Sequence, residues 1–291
     1  MTALLAAFFT FIAGVINGSY ALPTKYVKRW PFENTWMVFS VFTFVLTPWL
    51  FLFFLSSNAL DVYYNTPFHV LRILVVGGLL FGLGQIGFAL ALDSIGMGLA
   101  FVINISLSTA LGPLLPLVFM HSHLAFRKDM LVTMLGIIII IAGLIISYFA
   151  GKRRDKDTEK MSGNKSGYVF GVIAAIIAGL GSAGQNYTFA STSLMQTLAL
   201  KSGLSSLASS FVIWPGFLTV SFVPYALYML YLNIKNKSFS TYLTGELRFY
   251  PFAVLMAACW FGSLVFYSKA TQLIGALGPV IIWPLFMSLI I

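Results

Sequence analysis

The sequence predicts an all-α integral membrane protein: a bundle of ten transmembrane helices built as two inverted five-helix repeats, with about nine of the helices inside these 291 residues. Three observations lead there. Hydrophobic residues make up 59% of the chain and charged residues only 9%, with a mean hydropathy of +0.93. A soluble domain carries roughly 25% charged residues, so a water-facing surface cannot be assembled from this composition. Apolar runs of bilayer length also recur from end to end, and the two halves of the chain show weak likeness to each other.

A hydrocarbon core about 30 Å thick needs about 20 apolar residues per helix. Runs near that length fall at 3–22, 36–55, 71–92, 97–119, 131–150, 167–189, 206–232, 251–272 and 275–291. The first has no basic flank of the kind that marks a cleavable signal peptide and continues past Ile16, so it reads as the first transmembrane helix. The others are bounded by polar or proline-containing gaps, such as the stretch from Pro23 to Pro31. Pro113, Pro116, Pro215, Pro279 and Pro284 each remove a helical hydrogen bond and predict kinks in the fourth, seventh and ninth helices. The ninth run reaches Ile291 without a charge or aromatic anchor to close it, which predicts that a tenth helix follows in a protein of about 330 residues.

One long polar stretch, Gly151 to Gly167, has the composition of a solvated linker. It divides the chain into a first repeat at 1–150, a linker at 151–166 and a second repeat at 167–291 that ends within its fourth helix. Ile12-Ala13-Gly14 followed by Tyr20 is echoed by Ile177-Ala178-Gly179 followed by Tyr187. Phe81-Gly82, Phe88 and Ile95-Gly96 are echoed by Phe261-Gly262, Tyr267 and Ile274-Gly275 at a shift of 179 or 180 residues. Five helices is an odd number, so the second half enters the membrane from the opposite side, an arrangement used by carriers.

The formal charge of +9 comes from Lys and Arg scattered between apolar runs, not from a stripe, which argues against nucleic-acid binding. The gaps after the first, fifth and seventh helices hold twelve of these residues against four on the other side, placing the linker in the cytoplasm and the N-terminus outside. Anionic lipid headgroups account for the rest of the cationic character. The single cysteine, Cys259, lies inside an apolar run and reads as a small buried side chain.

Polar side chains inside hydrocarbon need partners and so face the bundle interior or a wet cavity. Asn17, Tyr20, Gln85 and Asn104 form the first-half set; Gln185, Asn186, Tyr187, Trp260 and Tyr267 form the second. Amides and hydroxyls suit the hydroxyls of a neutral sugar, and aromatic rings suit its C–H face. The plain alternative is that these groups only tie helices together, at about 0.6 kcal/mol each. Asp93 and Lys269 are the ionisable residues in or at the end of a span and away from the basic loops, hence candidates for proton coupling. Interfacial solvation of Asp93 and snorkelling of Lys269 compete with that role. His121 and His123 have a spacing that a metal could use, but no third ligand lies near them in sequence. Glycines such as Gly82, Gly84, Gly179 and Gly181 predict close helix packing.

The stretch Pro23-Thr-Lys25-Tyr-Val27-Lys28-Arg-Trp30-Pro-Phe32-Glu33-Asn-Thr-Trp36 resembles the signature after the first helix of the L-rhamnose/proton symporter family, within the drug/metabolite transporter superfamily. Gly82-Leu-Gly84-Gln85-Ile86-Gly-Phe88-Ala-Leu90, followed by Ile95-Gly96-Met97, is similar to that family's third-helix pattern. The resemblance implies two inverted five-helix repeats and uptake of L-rhamnose with a proton across a bacterial inner membrane, with no cofactor. Export of a drug or metabolite by the same fold is the nearest competitor, though a charge-poor, amide-lined cavity suits a neutral sugar better. A membrane enzyme needs a nucleophile and base or a metal cluster within the spans, and the sequence offers neither. A receptor or scaffold lacks an extramembrane domain with which to signal.

Overall fold

The computed structural model describes residues 2–26, 30–124, 128–154 and 165–290. The expected linker falls largely outside them. Among the described residues every regular element is helical. The long elements are α1 (Thr2–Ser19), α2 (Phe32–Leu55), α3 (Phe68–Gly96), α4 (Gly98–Met120), α5 (Lys128–Arg154), α6 (Lys165–Ser191), α7 (Ser206–Asn236), α8 (Phe249–Ile274) and α9 (Gly278–Ser288). Seven of them are long and apolar enough to cross a membrane; Met130–Gly143 within α5, and α9, are shorter apolar stretches.

The helices are amphipathic in the membrane sense. Along α1 the large apolar Leu4, Phe8, Phe11 and Val15 are exposed, while the smaller or polar Ala6, Thr10, Ala13 and Asn17 are buried, each set at steps of four, three and four. That spacing puts each set on one face of a helix. The outward face is the oily one, which only lipid can solvate. The chain is a multi-pass membrane protein.

Local chemistry sets the helix ends. Pro31 sits at the N-cap of α2, so that helix starts at Phe32, four residues earlier than its apolar run suggests. A π-helical turn, Val41–Leu46, precedes Pro48, whose missing N–H and bulky ring disturb the ordinary ladder. Gly96, at φ 77° and ψ 165°, separates α3 from α4, and Gly275, at φ 84° and ψ −145°, ends α8. Both sit in the positive-φ region that favours glycine.

α1 packs on α8, and α6 packs on α3 and α4, so each half embraces the other. Where α3 crosses α6, a Cβ on Gly84 would lie 3.1 Å from the Gly181 Cα, so the backbones meet with no side chain between them. Gly82 abuts the Ser221 carbonyl and Pro224 of α7 just as closely. Gly82→Val is therefore expected to cost about 1–3 kcal/mol through overpacking against backbone that cannot yield. Thermal unfolding in detergent checks this, and an unchanged midpoint would mean that α3 and α7 separate freely.

With helix directions taken to alternate along the chain, the ends of α1, α3, α5 and α7 and the starts of α2, α4, α6 and α8 share one side, here the linker side, and the opposite ends share the far side.

Candidate functional site

A cavity of about 80 Å³ lies between the halves. Asn17 and Tyr20 reach it from α1, Phe81, Gln85 and Phe88 from α3, and Phe101 and Asn104 from α4. Across from them stand Ser182 and Gln185 of α6, Trp260 and Leu264 of α8, and Trp283 and Phe286 of α9. Spacings of three and four residues place each group on one helix face. No charged side chain lines the cavity among the described residues.

Its polar groups are unequally committed. The Asn17 amide donates to Ser263 Oγ at 2.7 Å, joining α1 to α8, and the Ser182 hydroxyl donates to Asn104 Oδ1 at 3.0 Å, joining α4 to α6. Gln185 is only 4% exposed, yet its Nε2 has no hydrogen-bond partner. Buried donors are nearly always paired, so a free one on a cavity-lining side chain leaves a hydrogen bond for a ligand acceptor to take up.

Tyr20, Gln85, Phe88 and Trp260 are shared with a smaller adjoining aromatic chamber of about 20 Å³, which Phe32, Trp36 and Phe39 of α2, Leu92 of α3 and Tyr225 of α7 also line. Phe32 opens α2 and Leu92 precedes the Gly96 break, so this chamber leads toward the linker side.

The far side is sealed. Pro116 has no N–H, which frees the Gly112 carbonyl four residues back. Asn186 Nδ2 donates to that carbonyl at 3.0 Å and to the Pro279 carbonyl at 2.9 Å, while its Oδ1 accepts from the Tyr267 hydroxyl. Trp283 Nε1 donates to the Ser108 carbonyl at 3.0 Å, its indole lying where a Cβ on Gly112 would clash. One asparagine thus joins α4, α6, α8 and α9. Trp214 Nε1 adds a bond to Ser268 Oγ at 2.6 Å, joining α7 to α8.

Of the nine expected binding residues, Asn17, Tyr20, Gln85, Asn104, Gln185 and Trp260 line the cavity. Asn186, Tyr187 and Tyr267 are placed elsewhere. Successive helix residues point about 100° apart, so with Gln185 facing the cavity Asn186 turns into the seal. Tyr187 packs its ring on Phe119 at 5.9 Å. Asp93 is exposed in the last turn of α3 on the linker side. Lys269 donates to Ser206 Oγ at 2.6 Å and Gln272 Oε1 at 2.7 Å near the far end of α8. Neither of the two lines the cavity. His121 and His123 join no group of three metal-ligating residues among those described. Phe81, Phe88, Phe101 and Trp283 are the lining residues that polarity alone overlooks.

A lipid-facing exterior around a cavity that no charged side chain lines among the described residues defines a multi-pass helical membrane protein. The model of the family described as L-rhamnose-proton symport protein (RhaT) matches residues 2–291, and the chain belongs to that family. It is 26% identical over 210 residues to the L-rhamnose-proton symporter of Pectobacterium atrosepticum, covering 70% of this chain and 60% of that protein. Likeness to the symporter of Mannheimia succiniciproducens is 23% over 206 residues, with the same coverage. The Yersinia pestis symporter aligns at 25% over 284 residues, 91% of this chain and 79% of the relative. In the first of these matches the chain spans about 60% of the relatives' length. No solved structure matches.

Proposed function

We propose that the protein takes up a neutral sugar, L-rhamnose by its family, in symport with protons by alternating access across a bacterial inner membrane. The observation that carries the reading is the unpaired Gln185 amide in a charge-free cavity whose other walls are amides and aromatic rings. Such a lining offers hydrogen bonds to hydroxyls and flat apolar faces to C–H edges. It holds nothing to neutralise an ionic substrate.

The proposal includes the ten-helix fold of two inverted repeats, with first half 1–150, linker 151–166 and second half from 167. Three features support it. Gly96 and Gly275, matched by the internal repeat, both break their helices at positive φ. Gly14 of α1 is approached by Leu289 just after α9, and its counterpart Gly179 of α6 by Leu107 of α4, contacts that the repeat would exchange. The cavity is walled by the first, third and fourth helices of each half. The drug/metabolite transporter superfamily is the grouping to which this arrangement would assign the chain.

With the linker cytoplasmic, as the Lys and Arg bias argues, the N-terminus is external and the cavity faces inward. Asp93 and Lys269 keep only the roles their places allow, a solvated carboxylate at the inner face and a cation near the outer one. In proteoliposomes, labelled L-rhamnose is expected to accumulate when an inward proton gradient is imposed and only to equilibrate without one. Saturable uptake indifferent to the gradient would remove the proton from the reading; absence of saturable uptake would remove the sugar.

A further inference from the structure

Symport requires a group that gains and loses a proton during the cycle, and the cavity has none. Among the described residues Glu33 is the one buried carboxylate, at 4% exposure. It lies in the first turn of α2, between Phe32 and Trp36 of the aromatic chamber in sequence, and contacts the second half of the chain. Its Oε1 accepts from Ser238 Oγ at 2.7 Å and Asn236 Nδ2 at 3.0 Å. Its neighbour Asn34 donates to the Ser238 carbonyl at 3.0 Å. The contact therefore ties the start of α2 to the end of α7, helices of opposite halves that the repeat would exchange.

Ser238 has a second acceptor. Asn233 Oδ1 lies 3.2 Å from its hydroxyl, held in that orientation because Asn233 Nδ2 donates to the Met229 carbonyl at 2.8 Å. An ionised Glu33 takes the Ser238 proton into a hydrogen bond. A protonated Glu33 can instead donate to Ser238 Oγ, whose own hydrogen turns to Asn233. Both protonation states are satisfied without moving a heavy atom, as a reversibly titrating buried group needs. The cluster also has capacity to spare, since Trp30 Nε1 and Asn34 Oδ1 are buried without partners.

The other groups around it are few. Tyr242 faces Glu33 from the α7–α8 connection; burial holds its hydroxyl above its ordinary value, a hydrogen bond with Asn233 opposes that, and the charge of Glu33 and the nearby Tyr250 add to it. Lys235 and Lys237 flank Asn236 in sequence, and Arg248, at the start of α8, pairs with Glu246 at 3.4 Å. On the connection before α2, Lys28 and Arg29 lie outside the described residues.

We propose that Glu33 is the coupling carboxylate, its charged and neutral forms each accommodated by the Ser238 hydroxyl turning between Glu33 and Asn233, and that its protonation sets how tightly α2 is held to the end of α7 on the linker side. The idea rests on the proton-symport reading. Glutamine mimics the protonated acid, so Glu33→Gln in proteoliposomes should keep rhamnose exchange between equal pools while accumulation under an inward proton gradient falls to equilibration. Its exchange rate should also lose the pH dependence of the unmodified protein. Accumulation equal to that of the unmodified protein would overturn the proposal. So would loss of exchange in a variant that reconstitutes normally, because Glu33 would then be only a clamp. Should Glu33→Gln not fold, Ser238→Ala removes the hydroxyl that accommodates both forms of the carboxyl and keeps the carboxylate; it must shift the pH profile of exchange, and an unshifted profile overturns the proposal. If the unmodified protein ignores the gradient, the proton reading itself fails, an outcome visible before any variant is made.

Discussion

Replacing Asn186 by leucine is expected to cut gradient-driven uptake by about tenfold or more while leaving the protein folded in the membrane. The side chain closes three hydrogen bonds, to Gly112, Pro279 and Tyr267. Bonds between membrane helices average about 0.6 kcal/mol and reach about 1.7, so the three together are worth about 2–5 kcal/mol. A bias of 1.4 kcal/mol is already tenfold in a two-state population. The Gly112 carbonyl matters most, because Pro116 denies it the usual helical donor and leucine leaves it buried and unpaired. A cysteine at Ile105, in a background with Cys259 replaced by serine, reports the outcome. Its labelling by a membrane-impermeant thiol reagent from the far side should quicken when Asn186 is lost. Unaltered uptake and labelling would show that Trp283 and Trp214 hold the seal without it.

The places of the helices were legible because a bilayer-spanning helix needs a long apolar run. Among the described residues each apolar run overlaps one of α1–α9, with boundaries shifted by a few residues, though only seven of these helices are long and apolar enough to cross a membrane. The largest early shift, at α2, comes from Pro31, a helix-start signal that apolarity alone does not register. That shift also hid Glu33, which lies outside the apolar run yet inside the helix, on a turn buried against the second half.

The site was half legible for a different reason. Intramembrane amides must find partners, but residue type does not say whether the partner is a ligand or a neighbouring carbonyl. Gln185 and Asn186 are adjacent and chemically alike; one faces the cavity and the other seals the far side. The distinguishing signal was spacing. Aromatic or small polar residues stand three or four positions from each lining amide: Phe81 and Phe88 about Gln85, Phe101 before Asn104, Ser182 before Gln185. Conversely, the Gly112-to-Pro116 step in α4 advertised an unpaired carbonyl for which a buried amide would be recruited. The two charges show the same limit: neither Asp93 nor Lys269 lines the cavity among the described residues, and position in a span does not by itself say what a charge faces.

Gln185→Leu is expected to weaken L-rhamnose about tenfold while making the sugar-free protein more stable, a crossed outcome that separates a binding residue from a structural one. The Nε2 group is buried and has no partner. In the sugar-free protein it bears a desolvation cost of about 1–3 kcal/mol that leucine, of similar size, does not incur. Bound sugar turns that cost into a hydrogen bond. Leucine then forfeits about 0.5–1.5 kcal/mol of net interaction and leaves a buried sugar hydroxyl unpaired besides, which is what brings the loss to about a factor of ten. Thermal unfolding with and without saturating L-rhamnose measures both sides at once: the variant's midpoint should start higher and rise less on adding sugar. A lower starting midpoint with unchanged affinity would make Gln185 a helix tie like Asn186, and the recognition of hydroxyls would pass to Asn104 and Gln85 on the opposite wall.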